Sequence, residues 1–184
     1  YDPIFTLQQS SFTHASSLIF YALLALLSAA AGHLFVKVFH HIRSFFERIK
    51  APVLLKPALG GLLTGIAGFF FYEVSGTGIA SLQKILSGHD FPLWILLFLA
   101  LLKIFATSFT VGSGGSGGIL IPCLFIGGML GGFVGTLGMK LAPGLIDSHE
   151  PFVLVGMAAL LSGIANAHLG ALLLSAKFQR ATVF

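Results

Sequence analysis

Charged residues are scarce in this 184-residue chain, since Lys, Arg, Asp and Glu together make up 9% of it. A soluble domain has about 25% charged residues. A chain with 56% hydrophobic residues and so few charges could not cover its surface with polar groups. The shortage therefore excludes an ordinary soluble domain and predicts an all-α integral membrane protein in contact with lipid. At roughly 20 residues per helix, the chain has room for about five or six spans.

Cysteine is almost absent as well, because Cys123 is the one cysteine in the sequence and cannot form an internal disulfide. A secretory leader is not visible, and residue 1 is Tyr, so we expect the chain to begin inside a longer protein. The seven histidines lack the spacing of metal ligands, and we expect structural or interfacial roles for His14, His33, His89 and His149. With no nucleophile–base pair either, the sequence predicts no enzyme, no cofactor and no metal.

The basic residues are concentrated in one segment. Half of the ten Lys and Arg residues lie within twenty positions: Lys37, Arg43, Arg48, Lys50 and Lys56. Such a cluster is compatible with a nucleic-acid surface or with a cytoplasmic loop that follows the positive-inside rule. Because apolar segments flank it on both sides, we favour the cytoplasmic loop and expect no nucleic-acid partner.

Apolar runs and breaking residues divide the chain into tilted and broken membrane helices within a single membrane domain, residues 1–184. The first helix, over 15–50, would be about 50 Å long and must tilt or project from a hydrocarbon core of about 30 Å. Further spans are predicted from residue 52 or 57 to 72 (with Gly61, Gly65 and Gly68 on one packing face), over 92–109 and over 119–141. The segment 73–91 is predicted to be a loop with a short amphipathic helix. Residues 152–174 are predicted to form two shorter pieces, because "SGIANAHLG" interrupts them.

The segment "VGSGGSGGILIPCLFIGGMLGG", residues 111–132, is rich in glycine inside an apolar region. Residues 112–117 fit the pattern G-x-G-x-x-G, but no strand precedes them and the next acidic residue, Asp147, is too distant for a dinucleotide site. A second interpretation is a flexible linker followed by close helix packing at the glycine pairs 127/131, 128/132 and 131/135.

A third interpretation is an exposed helix N-terminus. The first N–H groups of a helix lack intrahelical partners and carry about half a positive charge. The glycines Gly112, Gly114 and Gly115 would allow a tight turn and a close approach to the backbone, and Pro122 has no N–H to lose in the first turn. Partial charge suits conduction, because a fully charged side chain would hold an anion too tightly.

Residues 101–135, "LLKIFATSFTVGSGGSGGILIPCLFIGGMLGGFVG", closely resemble the second-half signature of the CLC chloride channels and proton-coupled chloride antiporters. The family's G-[IV]-F-x-P motif corresponds to residues 118–122, with leucine in place of phenylalanine. By this resemblance, backbone N–H groups of Ile119 and Leu120 contact the anion, supported by Gly117 and Gly118. Weaker matches at "SGTGI" (75–79) and at 152–174 extend the resemblance over nearly the whole chain.

The resemblance implies chloride transport in the cell (plasma or inner) membrane by a homodimer whose subunits each hold a pore. The chain would be the second of two inverted repeats, about half of the pore fold, without a regulatory domain. The pore serine, the gating glutamate and the inner proton-accepting glutamate that separates antiporter from channel would precede residue 1, and the pore tyrosine would follow residue 184. Channel and antiporter therefore stay undistinguished. His168 and Lys177 depart from the family pattern. His168 is also a candidate functional residue, because it is ionisable within an apolar segment.

Two questions stay open at this level. Lys103, just before the glycine run, could extend to an interface or add positive potential near the anion. The whole chain could also be a non-transporting membrane scaffold or gene remnant whose glycines serve only helix packing.

Overall fold

The computed structural model describes residues 17–52, 54–87, 89, 91–146 and 148–181, with side chains described as far as residue 165. The helices are α1 (Leu18–Arg48), α2 (Leu55–Phe70), α3 (Ile79–Leu86), α4 (Leu93–Gly112), α5 (Leu120–Leu141) and α6 (Glu150–Ala181), with a short 3-10 turn at Tyr72–Val74 before α3. These residues include no strand. The all-α architecture is therefore confirmed.

Among the helices whose side chains are described throughout, three are long and apolar enough to cross a membrane: α1, α4 and α5. The 31 residues of α1 correspond to about 46 Å, which exceeds a hydrocarbon core of about 30 Å, as predicted. The basic end of α1 continues as helix, and Arg43 Nε contacts Glu47 Oε1 at 3.0 Å on its exposed face. By contrast, α2 has only 16 residues, or about 24 Å, and is shorter than a typical span.

The predicted break in the last apolar segment was wrong, because α6 is one helix of 32 residues. Glycine and small polar residues each lower helix stability by at most about 1 kcal/mol, which neighbouring apolar residues can offset. Proline alone removes a helical hydrogen bond and clashes with the preceding turn. The one proline of α6 is Pro151, which lies in the first turn of the helix, where proline is tolerated. The side chains of His168 and Lys177 lie outside the described part of the chain.

The glycines of α5 bring it into close contact with α6. A Cβ added at Gly127 would meet the carbonyl oxygen of Gly156, and one added at Gly131 would lie 2.6 Å from Val153 Cα. One turn further on, a Cβ at Gly135 would lie 2.6 Å from His149 Cβ. Glycine at these positions therefore leaves room for the two backbones to touch, which confirms the predicted packing role of the glycines of α5.

The face of α2 that meets α4 in this chain is not the one formed by the predicted glycines. A Cβ added at Gly61 or Gly65 would have no neighbour within 4 Å, whereas one at Gly60 would lie 2.5 Å from the carbonyl oxygen of Phe109 on α4. Adjacent helical residues differ by about 100° in direction. The sequence alone does not show which of two adjacent glycines faces the neighbouring helix.

His149 has the structural role expected for it. Its side chain is buried, and its ring Nε2 hydrogen-bonds to the carbonyl oxygen of Ile85 at 2.9 Å. This bond connects the start of α6 to the end of α3.

Candidate functional site

The first half of the glycine run ends α4. Gly115 N–H donates to the carbonyl of Thr110, and Gly114 N–H donates to that of Val111, each at 3.1 Å. Gly114 has a φ of +92°. These features define a Schellman motif, in which a glycine of positive φ satisfies the last carbonyls of a helix.

Gly112 and Gly114 line a groove of about 300 Å³ together with Arg43 and Lys56. A Cβ at Gly112 would lie 3.2 Å from Ile42 Cγ2, so this glycine also allows α1 to approach α4. Gly112, Gly114 and Gly115 therefore lie at the end of α4, and their expected role in shaping the anion site stays a prediction.

The second half of the run begins α5. Ile119 caps the helix without a side-chain hydrogen bond, and its carbonyl accepts from Cys123 N–H at 3.1 Å. Among the described residues, no carbonyl or side chain accepts a hydrogen bond from the N–H groups of residues 117–121. Pro122, the third residue of the helix, has no N–H. The unpaired donors of this helix end are therefore the ones expected for an anion-binding terminus.

A cavity of about 340 Å³ lies beside this helix start. Gly117, Gly118 and Pro122 form part of its wall, together with Lys103 of α4 and Thr64 of α2. A water molecule occupies about 30 Å³ in the liquid, so the cavity has room for a small anion and several waters. A Cβ added at Gly118 would have no neighbour within 4 Å, so the backbone there is open to a ligand.

Ile119 and Leu120 border a different space. They line an apolar groove of about 350 Å³ with Leu161 and Ile164 of α6, and the Leu120 side chain is 66% exposed. The prediction for these two residues concerned their N–H groups rather than their side chains. It stays a prediction.

Lys103 is buried in the middle of this arrangement. Its side chain is 3% exposed, and Nζ donates to the carbonyl oxygens of Val74 and Gly76, each at 2.7 Å. Nζ also lies over the Phe125 ring, 5.1 Å from its centroid. The interpretation that Lys103 extends to an interface is therefore wrong. The amino group joins α4 to the turn before α3 and to α5.

Two threonines that the sequence did not single out complete the polar wall. Thr64 and Thr110 both line the cavity, and their hydroxyl oxygens are 2.8 Å apart. Thr64 Oγ1 also lies 2.9 Å from the carbonyl of Gly60, and Thr110 Oγ1 lies 2.9 Å from that of Ala106. Isolated threonines in apolar helices were the available signal, but only the tertiary structure brings them together.

The charge around the cavity has one sign. Its described lining residues include Lys103 and no Asp or Glu. In the part of the chain that the structure describes, the one salt bridge is the exposed pair Arg43–Glu47. The Lys103 charge thus has carbonyl dipoles and an aromatic ring as partners, but no carboxylate among these residues. A positive charge beside unpaired N–H groups makes the cavity favourable for an anion.

Known proteins resemble this chain over nearly its full length. The model of the family described as "voltage gated chloride channel" matches residues 1–182. The chain is 34% identical to an uncharacterized protein of Methanocaldococcus jannaschii over 91% of this chain and 40% of that protein. It is 30% identical to the chloride channel protein CLC-f of Arabidopsis thaliana over 92% of this chain and 24% of that protein.

A third relative is the H(+)/Cl(-) exchange transporter ClcA of Salmonella paratyphi B, which is 29% identical over 94% of this chain and 37% of that protein. The chain thus spans at most 40% of the length of these three relatives. The family match nevertheless extends over nearly every residue. The chain therefore belongs to the CLC family of voltage-gated chloride channels, and it is an integral membrane protein.

Proposed function

We propose that the protein carries chloride across a membrane, and that the N–H groups of residues 117–120 bind the anion at the start of α5. The observation that carries this proposal is the set of unpaired N–H groups beside a cavity with a positively charged wall. Gly117 and Gly118 belong to the cavity wall, and Ile119 and Leu120 supply the next two N–H groups of the same helix end.

The proposed chemistry is binding without permanent capture. Backbone N–H groups at a helix start offer about half a positive charge, spread over several donors. A conducted ion must bind well enough to enter and weakly enough to leave. Partial charges meet both requirements, and the neighbouring hydroxyls of Thr64 and Thr110 add polar contacts. Each hydroxyl has one hydrogen and several acceptors within reach, so an O–H can turn toward an anion.

We further propose that the chain is the second inverted repeat of the pore domain, in a homodimer within the plasma or inner membrane. The coverage of the relatives supports this, because the chain matches at most 40% of their length. A transport role is preferred to catalysis, since two of these relatives are named a chloride channel protein and an exchange transporter. Residues 1–184 alone are then expected to bind halide without carrying a flux.

Chloride efflux from liposomes tests the proposal, with the protein in the form in which the cell makes it. The Gly118→Val side chain would have free space to enter beside the cavity, so the fold is retained while the anion is hindered. We expect the rate of efflux to fall by at least tenfold, the equivalent of about 1.4 kcal/mol. Gly65→Val is the matched control, because a Cβ at Gly65 is equally unhindered but lies on an exposed face of α2. Equal efflux from both variants would contradict the proposal.

The close contacts of Gly127 and Gly131 with α6 favour a second candidate, a membrane scaffold without transport. The two functions differ in halide binding. A scaffold would show no saturable chloride binding by calorimetry in detergent, and Gly118→Val would leave every measurement unchanged. Saturable binding that Gly118→Val weakens would instead support transport.

A further inference from the structure

We infer that Lys103 determines the anion affinity of the cavity through its charge, without contacting the anion. This inference rests on the proposed function, because it concerns the same cavity. Lys103 differs from the backbone N–H site because it acts on the anion from a distance and belongs to α4 rather than to α5. The relevant observations are the burial of Lys103, the partners of its ammonium group and its position in the cavity wall.

The ammonium group is already occupied. A lysine has three N–H donors, and two of them reach the carbonyls of Val74 and Gly76. Nζ also lies over the Phe125 ring, a weaker but favourable partner for a cation. An anion that bound Nζ directly would compete with these three contacts.

These contacts also fix the group in place. Phe125 is fully buried, and a Cβ added at Gly78 would meet its ring, so the turn before α3 is packed tightly against α5. Val74, which supplies one of the two carbonyls, is itself 2% exposed. The charge is therefore held by three segments of the protein and does not follow an ion through the cavity.

A fixed charge without contact would act on the anion by its field alone. A sphere of 340 Å³ has a diameter of about 9 Å, which sets the scale of the distance between the Lys103 charge and an anion in the cavity. At that separation and an effective dielectric constant of about 20, one unit charge changes affinity by roughly tenfold to thirtyfold. Direct contact between the anion and the ammonium group, at about 3–4 Å, would give a several times larger interaction energy. It would also slow the release of the anion. Lys103 thus raises the occupancy of the cavity while leaving the exchange of ions fast.

The test is calorimetric titration of chloride and of bromide into the detergent-solubilised protein, in the form in which the cell makes it. Lys103→Gln removes the charge but keeps two N–H donors for the two carbonyls, whereas Lys103→Arg keeps the charge. We expect Lys103→Gln to weaken both halides by roughly tenfold to thirtyfold, and Lys103→Arg to change them by less than about threefold. A purely structural role predicts a different result, in which both variants lose thermal stability and the affinity loss does not depend on charge.

A second pair of variants keeps the test informative if Lys103→Gln does not fold. Thr77 is an exposed residue of the cavity wall. Thr77→Asp places a negative charge against the field of Lys103, and Thr77→Asn is its neutral control. Weakening of about tenfold in Thr77→Asp but not in Thr77→Asn is expected. Unchanged halide affinity in Lys103→Gln or in Thr77→Asp would overturn the inference. Absence of halide binding in the unmodified protein would instead overturn the proposed function.

Discussion

Replacing Gly131 by alanine should separate α5 from α6. The new Cβ would meet the carbonyl oxygen of Phe152 and lie 2.6 Å from Val153 Cα. Optimal contact between carbon atoms is about 3.5–4.0 Å. Both neighbours are backbone atoms, which cannot rotate away as a side chain can, so the two helices must move apart by about 1 Å.

The magnitude follows from two opposing effects. Overpacking a well-packed interior costs about 1–3 kcal/mol. Alanine gains about 1 kcal/mol over glycine from helix propensity. Because backbone must move, we take the upper end of the first range and expect Gly131→Ala to lower the free energy of unfolding by about 2 kcal/mol.

Gly61→Ala is the control, because an added Cβ there has no neighbour within 4 Å. Gly61→Ala should raise the free energy of unfolding by about 1 kcal/mol through helix propensity alone. The free energies of unfolding of the two variants should therefore differ by about 3 kcal/mol. Unfolding by denaturant titration in detergent, followed by circular dichroism, measures this difference. Equal stability of Gly131→Ala and Gly61→Ala would refute the close contact between α5 and α6.

Two further variants separate the end of α4 from the start of α5. Gly114→Ala forces a Cβ onto a residue with φ of +92°, so we expect a loss of about 1–2 kcal/mol in the free energy of unfolding with halide affinity changed by less than about threefold. A large loss of affinity in a stably folded Gly114→Ala would show that this glycine acts at the anion site after all. Leu120→Phe introduces the phenylalanine of the G-[IV]-F-x-P motif that residues 118–122 resemble, at a side chain that is 66% exposed. If the N–H group makes the contact, chloride affinity by calorimetry should stay within about twofold of the unmodified protein, and a tenfold change would show that the side chain takes part.

Much of the helix arrangement was predictable from the sequence, because apolar runs and prolines mark where helices can form. The long α1, the short amphipathic α3 and the span of α5 were all expected. The predicted break in α6 was wrong, because the residues that interrupt the apolar pattern lower helix stability without removing a hydrogen bond. The contact of Gly60 with α4 was not predicted, because a helix pattern without its partner does not specify which residue meets the neighbour.

The candidate site was predictable in part. The glycines before Pro122 indicate an exposed helix start, and the structure leaves the corresponding N–H groups without protein acceptors among the described residues. The position of Gly114 at the end of α4 was not predicted, because a glycine that ends one helix and a glycine that precedes the next look alike in sequence. The partners of Lys103 lie 27 and 29 residues away along the chain, and no local pattern connects them.

The central claim is that the unpaired N–H groups at the start of α5 bind the anion. Anomalous scattering from crystals of the protein grown in bromide tests it most directly, because bromide replaces chloride and its position is measured without assuming a site. We predict a bromide ion within hydrogen-bonding distance of N–H groups in residues 117–120. Bromide bound only elsewhere, or these N–H groups donating to carbonyls of the protein, would contradict the account.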